Sequence, residues 1–319
     1  MVEYDPGSDR EETFKEDDPM HRRAFIKSAV LAGAALSLPA GFAPFVHRIE
    51  AAGPPDLVVA QGASPAGITR AAVNGLGGIR RFVSRGAVVV VKPNIGWDRT
   101  PEYAANTNPE IVATVVRLCY EAGAKTVKVF DHPVADARRT YKQSGIADAA
   151  AAAGAVVRFV DERKFKDMRI NGLALKSWPL YTEAIEADAV INLPIAKTHG
   201  ISGLTLGMKN CMGVMGGWRG RIHQRIDESL VDVTRVVKPS LTLLDAVRIL
   251  TGNGPQGGSL TDVRRLDTVA AGVDPVAVDA FGATLFGMKP TELGCVRIGH
   301  RAGLGRMDLA RMNIKQIRL

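Results

Sequence analysis

The sequence predicts an α/β protein with a mostly parallel central sheet flanked by helices, doubly wound and three layers thick. Three observations point there. Short β-branched runs alternate with Ala-rich stretches of helical spacing. Several of those runs are apolar throughout, as expected for strands of a parallel sheet covered by helices on both faces. The composition, 46% hydrophobic with 33 Gly and 6% aromatic residues, suits a globular body and excludes a disordered or collagen-like chain.

Taken in order, the chain of 319 residues divides into a segment 1–52 and a single α/β domain, 53–319. Residues 1–18 form an acidic leader that reads as a disordered extension. His21-Arg22-Arg23-Ala24-Phe25-Ile26-Lys27 then precedes an uncharged run, 28–46, and the small pair Ala51-Ala52. Paired arginines ahead of a moderately apolar stretch are the mark of a twin-arginine export signal. An amphipathic helix or an uncleaved membrane anchor competes with that reading. Pro39 and Pro44 weigh against a continuous spanning helix, because each removes a backbone donor that lipid cannot replace. The expected partner is therefore the twin-arginine translocase, the expected compartment the periplasm, and the expected cargo a folded body. ATP is scarce there, which disfavours reactions that consume nucleoside triphosphates.

Within the body, strands are predicted over 57–60, 87–92, 126–131, 155–161, 189–193, 241–246 and 268–272, and helices over 109–122, 141–153, 222–237 and 275–286. Asn108-Pro109-Glu110 opens a helix, with Asn108 as cap and Pro109 at the first helical position. Asp274-Pro275 does the same for the last predicted helix. Segment 197–221 breaks the rhythm, with seven glycines in 25 residues and no clear period. A loop of that length inside a compact domain is usually functional or disordered; its Lys, His, Asn, Trp and Arg content favours function.

Charge narrows the partner. Segment 1–52 holds 6 Lys/Arg and 9 Asp/Glu, so the 267-residue body carries 35 basic and 24 acidic side chains, +11 against +8 for the whole chain. A body of this size buries roughly 75% of its unfolded surface and needs no disulfide. Cys119, Cys211 and Cys295 lie far apart without a C-x-x-C pair, so the cysteines build neither a zinc site nor an iron–sulfur cluster. Cys119 reads as a buried core thiol.

Open α/β sheets bind ligands at the carboxyl ends of their strands. Lys92-Pro93-Asn94, Asp131-His132, Asn192 through Lys197-Thr198-His199, and Asp245 all fall at such ends. The strings Lys92-Pro93-Asn94, Ile191-Asn192-Leu193-Pro194 with Lys197-Thr198-His199, Met208-Lys209-Asn210 with Gly213, Asn253-Gly254-Pro255 with Gly257-Gly258, and Asp274-Pro275-Val276-Ala277-Val278-Asp279 occur in that order. On those motifs the chain, over 88–305, resembles the domain of unknown function family 362. The resemblance implies an α/β domain without an assigned activity. Many relatives carry ferredoxin-type cysteine clusters beside it, implying redox or metal chemistry in some of them. This chain lacks the clusters, and it has Ile195-Ala196 where relatives commonly show a second lysine.

Chemically the set is cationic and rich in donors. Lys92, Lys197 and Lys209, with Arg219 and Arg221, are candidates to surround an anion, joined by Asn94, Asp131, Asn192, Asn210, Asn253 and Gly254. Glycines 203, 207, 213, 216 and 217 would let backbone N–H groups approach it. Lys197, His199 and His223 are the catalytic candidates, since a His beside a Lys and an Asp suits proton transfer near neutral pH. A divalent metal would draw on His132, His199, His223, Asp245 and Asp279. Segment 216–221, Gly-Gly-Trp-Arg-Gly-Arg, has little aromatic interleaving, which disfavours nucleic acid. Two readings remain: an exported enzyme acting on a small anion, or a non-catalytic ligand-binding or cofactor-maturation protein serving a periplasmic redox enzyme.

Overall fold

In the computed structural model, which describes residues 53–319, the chain opens with β1 (Leu57–Gln61), α1 (Pro65–Gly75), β2 (Val88–Pro93), α2 (Pro109–Glu121) and β3 (Thr126–Val129). Next come α3 (Ala137–Gln143), α4 (Ile146–Ala152), β4 (Val156–Val157), the antiparallel hairpin β5 (Phe165–Arg169) and β6 (Ser177–Tyr181), α5 (Thr182–Ile185) and β7 (Ala189–Leu193). The remainder supplies β8 (Ile195–His199), β9 (Gly203–Thr205), α6 (Gly207–Asn210), α7 (Ile226–Val237), β10 (Leu241–Leu250), β11 (Val263–Gly272), α8 (Pro275–Thr284), α9 (Gly294–Arg301) and β12 (Ile314–Arg318). The acidic leader and the arginine pair lie outside the described residues.

Ten strands form one sheet in the order β12-β1-β11-β10-β7-β2-β3-β4, with β8 paired to the far half of β10 and β9 to β8. Strands β10, β7, β2, β3 and β4 run parallel, whereas β11 is antiparallel to both β1 and β10. The mostly parallel, helix-flanked sheet expected from the sequence is therefore present.

Alternation along the strands divides the core. Val89 and Val91, Val127 and Val129, Ile191, Leu241 and Leu243 pack with Ile68 and Val73 of α1, Ile111, Val115 and Cys119 of α2, and Ile146 and Ala150 of α4. Burying each such Val, Leu or Ile contributes roughly 1.5–3 kcal/mol. On the other face, Lys92 sits in register with Asn192, and Asn192 with Thr242, so a polar row crosses three strands. Helix α6 packs on β7, and α8 on β10 and β11, to cover that side. The caps are as expected: Asn108 accepts from Glu110 N–H, and Asp274 accepts from Val276 and Ala277 N–H.

Several boundaries differ from expectation. Helix 141–153 is two helices, parted at Gly145, whose φ of +69° no helix accommodates. Strand 155–161 shrinks to Val156–Val157. Helix 222–237 starts at Ile226, the preceding Arg219–Arg225 being 3₁₀. Segment 197–221 is ordered: it contributes the end of β8, then β9, α6 and two 3₁₀ stretches. All three cysteines are free and buried, and burial pushes the Cys119 thiol up to about 12. Among the described residues, no helix is long and apolar enough to cross a membrane.

Candidate functional site

The polar row leads to a cavity of about 660 Å³ beyond the carboxyl ends of β2, β3 and β7. Lys92, at the end of β2, is buried with its Nζ 2.8 Å from Asp131 Oδ1 and 3.0 Å from Asn210 Oδ1. Burial lowers its pKa, and Asp131 works against that shift. Asp131 has little capacity left: its Oδ2 accepts from Ile95 N–H, and its Oδ1 also accepts from His132 N–H.

A chain of amides fixes the floor. Asn94 Oδ1 accepts from Lys197 Nζ at 2.9 Å, and Asn94 Nδ2 donates to Asn210 Oδ1. Asn210 Nδ2 donates to Asn192 Oδ1 and Lys92 O, and Asn192 Nδ2 donates to Gly207 O. Asn192 is thus a strut beneath the pocket rather than part of its lining.

Three further cations complete the wall, and among the described residues none has a carboxylate within ion-pair distance. Lys197 donates to Asn94 and to Ala105 O at 2.5 Å; burial, then Lys209, bring it down to about 7. Among the described residues Lys209 meets only Met212 Sδ, at 3.0 Å, and it is brought to about 8, by burial and then Arg219. Arg219 spans the carbonyls of His132 and Pro133, and burial lowers it too. Positive charge on this wall exceeds negative, since the one lining carboxylate is occupied by Lys92 and backbone.

The histidines differ in tautomer, which their partners dictate. Backbone N–H groups of Ile201 and Ser202 both donate to His199 Nδ1, at 3.1 and 3.3 Å, so its hydrogen resides on Nε2. Burial, with Lys209 and Lys197 adding to it, brings His199 down to about 3 and keeps it neutral. His223 Nδ1 lies 3.0 Å from Gly220 O, which can only accept, so Nδ1 donates and, in the neutral ring, Nε2 carries the lone pair. The two rings lie 6.4 Å apart, stacked at 23°. His132 donates through Nδ1 to Met215 O, and burial lowers its pKa.

Of the residues singled out from the sequence, Lys92, Asn94, Asp131, His132, Lys197, His199, Lys209, Asn210, Arg219, His223 and Gly254 line the one cavity. Arg221 and Asn253 are exposed outside it, Asn253 donating to Asp262. Two of the five glycine N–H groups expected to approach an anion are engaged elsewhere. Gly207 N–H goes to Asp279 and Gly216 N–H to Pro179 O, and Gly213 instead brings its turn against Lys92 and Asp131, where a Cβ would overlap both.

The metal candidates do not assemble: among the described residues, no group of three His, Cys, Asp or Glu could hold an ion. Asp245 accepts from Asn108 and Val247 N–H, tying the opening of α2 to β10, and burial raises it to about 6. Asp279 accepts from Gly207 and Met208 N–H at the start of α6, and burial raises it to about 7. Both carboxylates are architectural.

Sequence reasoning missed the apolar rim: Trp97, Val134, Ile201, Trp218 and Pro255 also line the cavity, and Trp218 is 76% exposed. Trp97 was within reach of the strand-end rule, three residues beyond Asn94. Asn106 was not; it accepts from Gly96 and Trp97 N–H and shapes that loop from a distance.

Among curated proteins, the chain is 32% identical over 239 residues to a thylakoid-associated protein of Synechocystis sp., covering 72% of either chain. Two solved structures are similar in part: a Thermotoga maritima protein, 12% identical with a TM-score of 0.43, and the lactate racemase apoprotein of Thermoanaerobacterium thermosaccharolyticum, 11% identical with a TM-score of 0.44. The matches cover 71% and 72% of this chain but only 60% and 56% of those structures. The family model described as Domain of unknown function (DUF362) matches residues 89–284, and together with the Synechocystis relative it establishes that the chain belongs to this family.

Proposed function

We propose that the cavity binds a small organic anion and that the protein is an enzyme acting on it. The observation that carries this reading is the charge imbalance: Lys197, Lys209 and Arg219 line the wall without carboxylate partners, and Asp131 is spent on Lys92. An anion supplies the missing countercharge, and hydrogen bonds to charged groups in a sheltered site are stronger than neutral ones. Lys209 and Arg219 hold the anion. Lys197, about half neutral near pH 7, accepts or returns a proton. His223 in its neutral form offers a lone pair on Nε2, and His199 offers a hydrogen on Nε2, so the pair divides acceptor and donor roles. The protein works outside the inner membrane, carried there folded by the twin-arginine translocase; Arg22-Arg23 and the uncharged run after them support this.

Calorimetric titration with sulfate, phosphate and a panel of short carboxylates tests the anion reading. Wild-type protein is expected to bind at least one of them, and Lys209→Ala to weaken that binding about 10- to 100-fold, the worth of one hydrogen bond to a charged group. No binding by wild type, or unchanged binding by the variant, would overturn it. Once a ligand is known, His223→Ala separates enzyme from carrier: turnover lost with binding retained marks an enzyme, and equal loss of both marks a carrier.

A further inference from the structure

Lys197 sits in an unusual environment for a lysine. It is 1% exposed, lines the cavity, and is held by two neutral acceptors, Asn94 Oδ1 and Ala105 O. A neutral amine has two hydrogens and one lone pair. The two acceptors engage both hydrogens, which leaves the lone pair for the cavity. The groups facing it are Lys92, Lys209 and His199, with Asp131 the carboxylate among its electrostatic neighbours, so its surroundings disfavour an ammonium. Lysines become nucleophiles in such sites, desolvated and next to other cations.

We propose that Lys197 forms a Schiff base with the carbonyl carbon of a 2-oxo carboxylate bearing an apolar tail; this deepens the anion-pocket reading and rests on it. The Nζ lone pair attacks C2, and the C=O pair moves onto oxygen. One proton passes from nitrogen to that oxygen, giving a carbinolamine. A proton taken from solvent converts the hydroxyl to departing water as the nitrogen lone pair forms C=N. His199 Nε2–H and the His223 Nε2 lone pair line the same cavity and serve those transfers. The iminium keeps one N–H, for which Asn94 Oδ1 and Ala105 O are acceptors already in place. Lys209 and Arg219 take the carboxylate, and Trp97, Ile201, Trp218 and Pro255 give the tail an apolar rim.

The test is reductive trapping on the full chain at pH 7, with 4-methyl-2-oxopentanoate as probe and cyanoborohydride as reductant. One adduct is expected, with the mass of the probe acid less one oxygen, on the peptide containing Lys197. At pH 7 an exposed lysine is less than about 0.1% neutral, so Lys197 is expected to label at least about tenfold faster than any other lysine. Labelling spread over exposed lysines, or none, overturns the proposal. Peptide mapping of wild type decides this without a variant; Lys197→Arg, which keeps a cation without a nucleophilic amine, is expected to give no adduct at this position. Binding of 4-methylpentanoate, which lacks the carbonyl, is measured in parallel. If it binds while the keto acid is not trapped, the Schiff base falls and the anion pocket stands; if neither interacts, the pocket reading falls for this class as well.

Discussion

At the scale of single residues, the buried lysines tie the pocket to stability. Lys197 is lowered to about 7 in the folded state, against about 10.4 for an unfolded lysine. Between those values the unfolded chain binds the extra proton, so stability rises as pH climbs from about 7 to about 10. Lys209, lowered to about 8, acts in the same direction. The raised carboxyls Asp245 and Asp279 act in a lower window: their folded forms hold protons longer, so their contribution declines as pH rises from about 4 to about 7. Replacing Lys197 by Met is therefore expected to flatten the rise of the urea midpoint between pH 7 and 10. At about 1.4 kcal/mol per pKa unit, the slope lost amounts to a few kcal/mol at most. The variant leaves Asn94 Oδ1 and Ala105 O without their donor, so its absolute stability falls; the slope with pH is the diagnostic, and an unchanged slope would show Lys197 to be charged throughout that range.

At the scale of elements, one short helix and the turn after it connect the core to the pocket. Asp279 on α8 holds the first two N–H groups of α6, and the same helix carries Lys209 and Asn210. The following 3₁₀ stretch passes so close to the Lys92–Asp131 pair that Gly213 has no room for a methyl group. Gly213→Ala is expected to cost about 1–3 kcal/mol, as overpacking does, and to weaken anion binding although residue 213 offers no side chain to a ligand. Unfolding and titration of the same preparation check this; intact binding at reduced stability would uncouple the turn from the pocket. These elements also show what a sequence can and cannot reveal. Lys92, Asp131 and Lys197 were legible because each follows or ends a strand run in an α/β pattern, and strand ends converge. Arg221 was not separable from Arg219, because two residues apart on a 3₁₀ stretch of three residues per turn point to different sides. Strand β8 was hidden because it continues from β7 after a single Pro194 and holds Lys, Thr and His. Strands β5, FKDMR, and β12, IKQIR, lack the apolar run that marks a covered strand, and Pro179 interrupts the pattern of β6. Helix α1 was missed because its two glycines and leading proline obscure the period.

At the scale of the whole molecule, the first strand of the body is closed by the last. β1 lies between β11 and β12, and Leu319 N–H donates to Gln61 O. Asp56, just before β1, accepts from Asn313 N–H and pairs with Arg306. Both neighbours of β1 come from more than 200 residues further along, so the sheet is finished only once Ile314–Arg318 has been added, and such long-range pairing is slow to form. The export proposal rests on the arginine pair and the uncharged run that follows it. Arg22→Lys combined with Arg23→Lys is accordingly expected to leave the protein in the cytoplasm, folded and still able to bind its anion, as fractionation followed by titration would show. Deleting 314–319 with both arginines intact is expected to stop export for a different reason: β1 becomes an open edge beside a predominantly apolar layer, and the body that reaches the translocase is incomplete. Periplasmic protein from the double-lysine variant would remove the twin-arginine route, whereas periplasmic protein from the truncation alone would remove the requirement for a closed sheet.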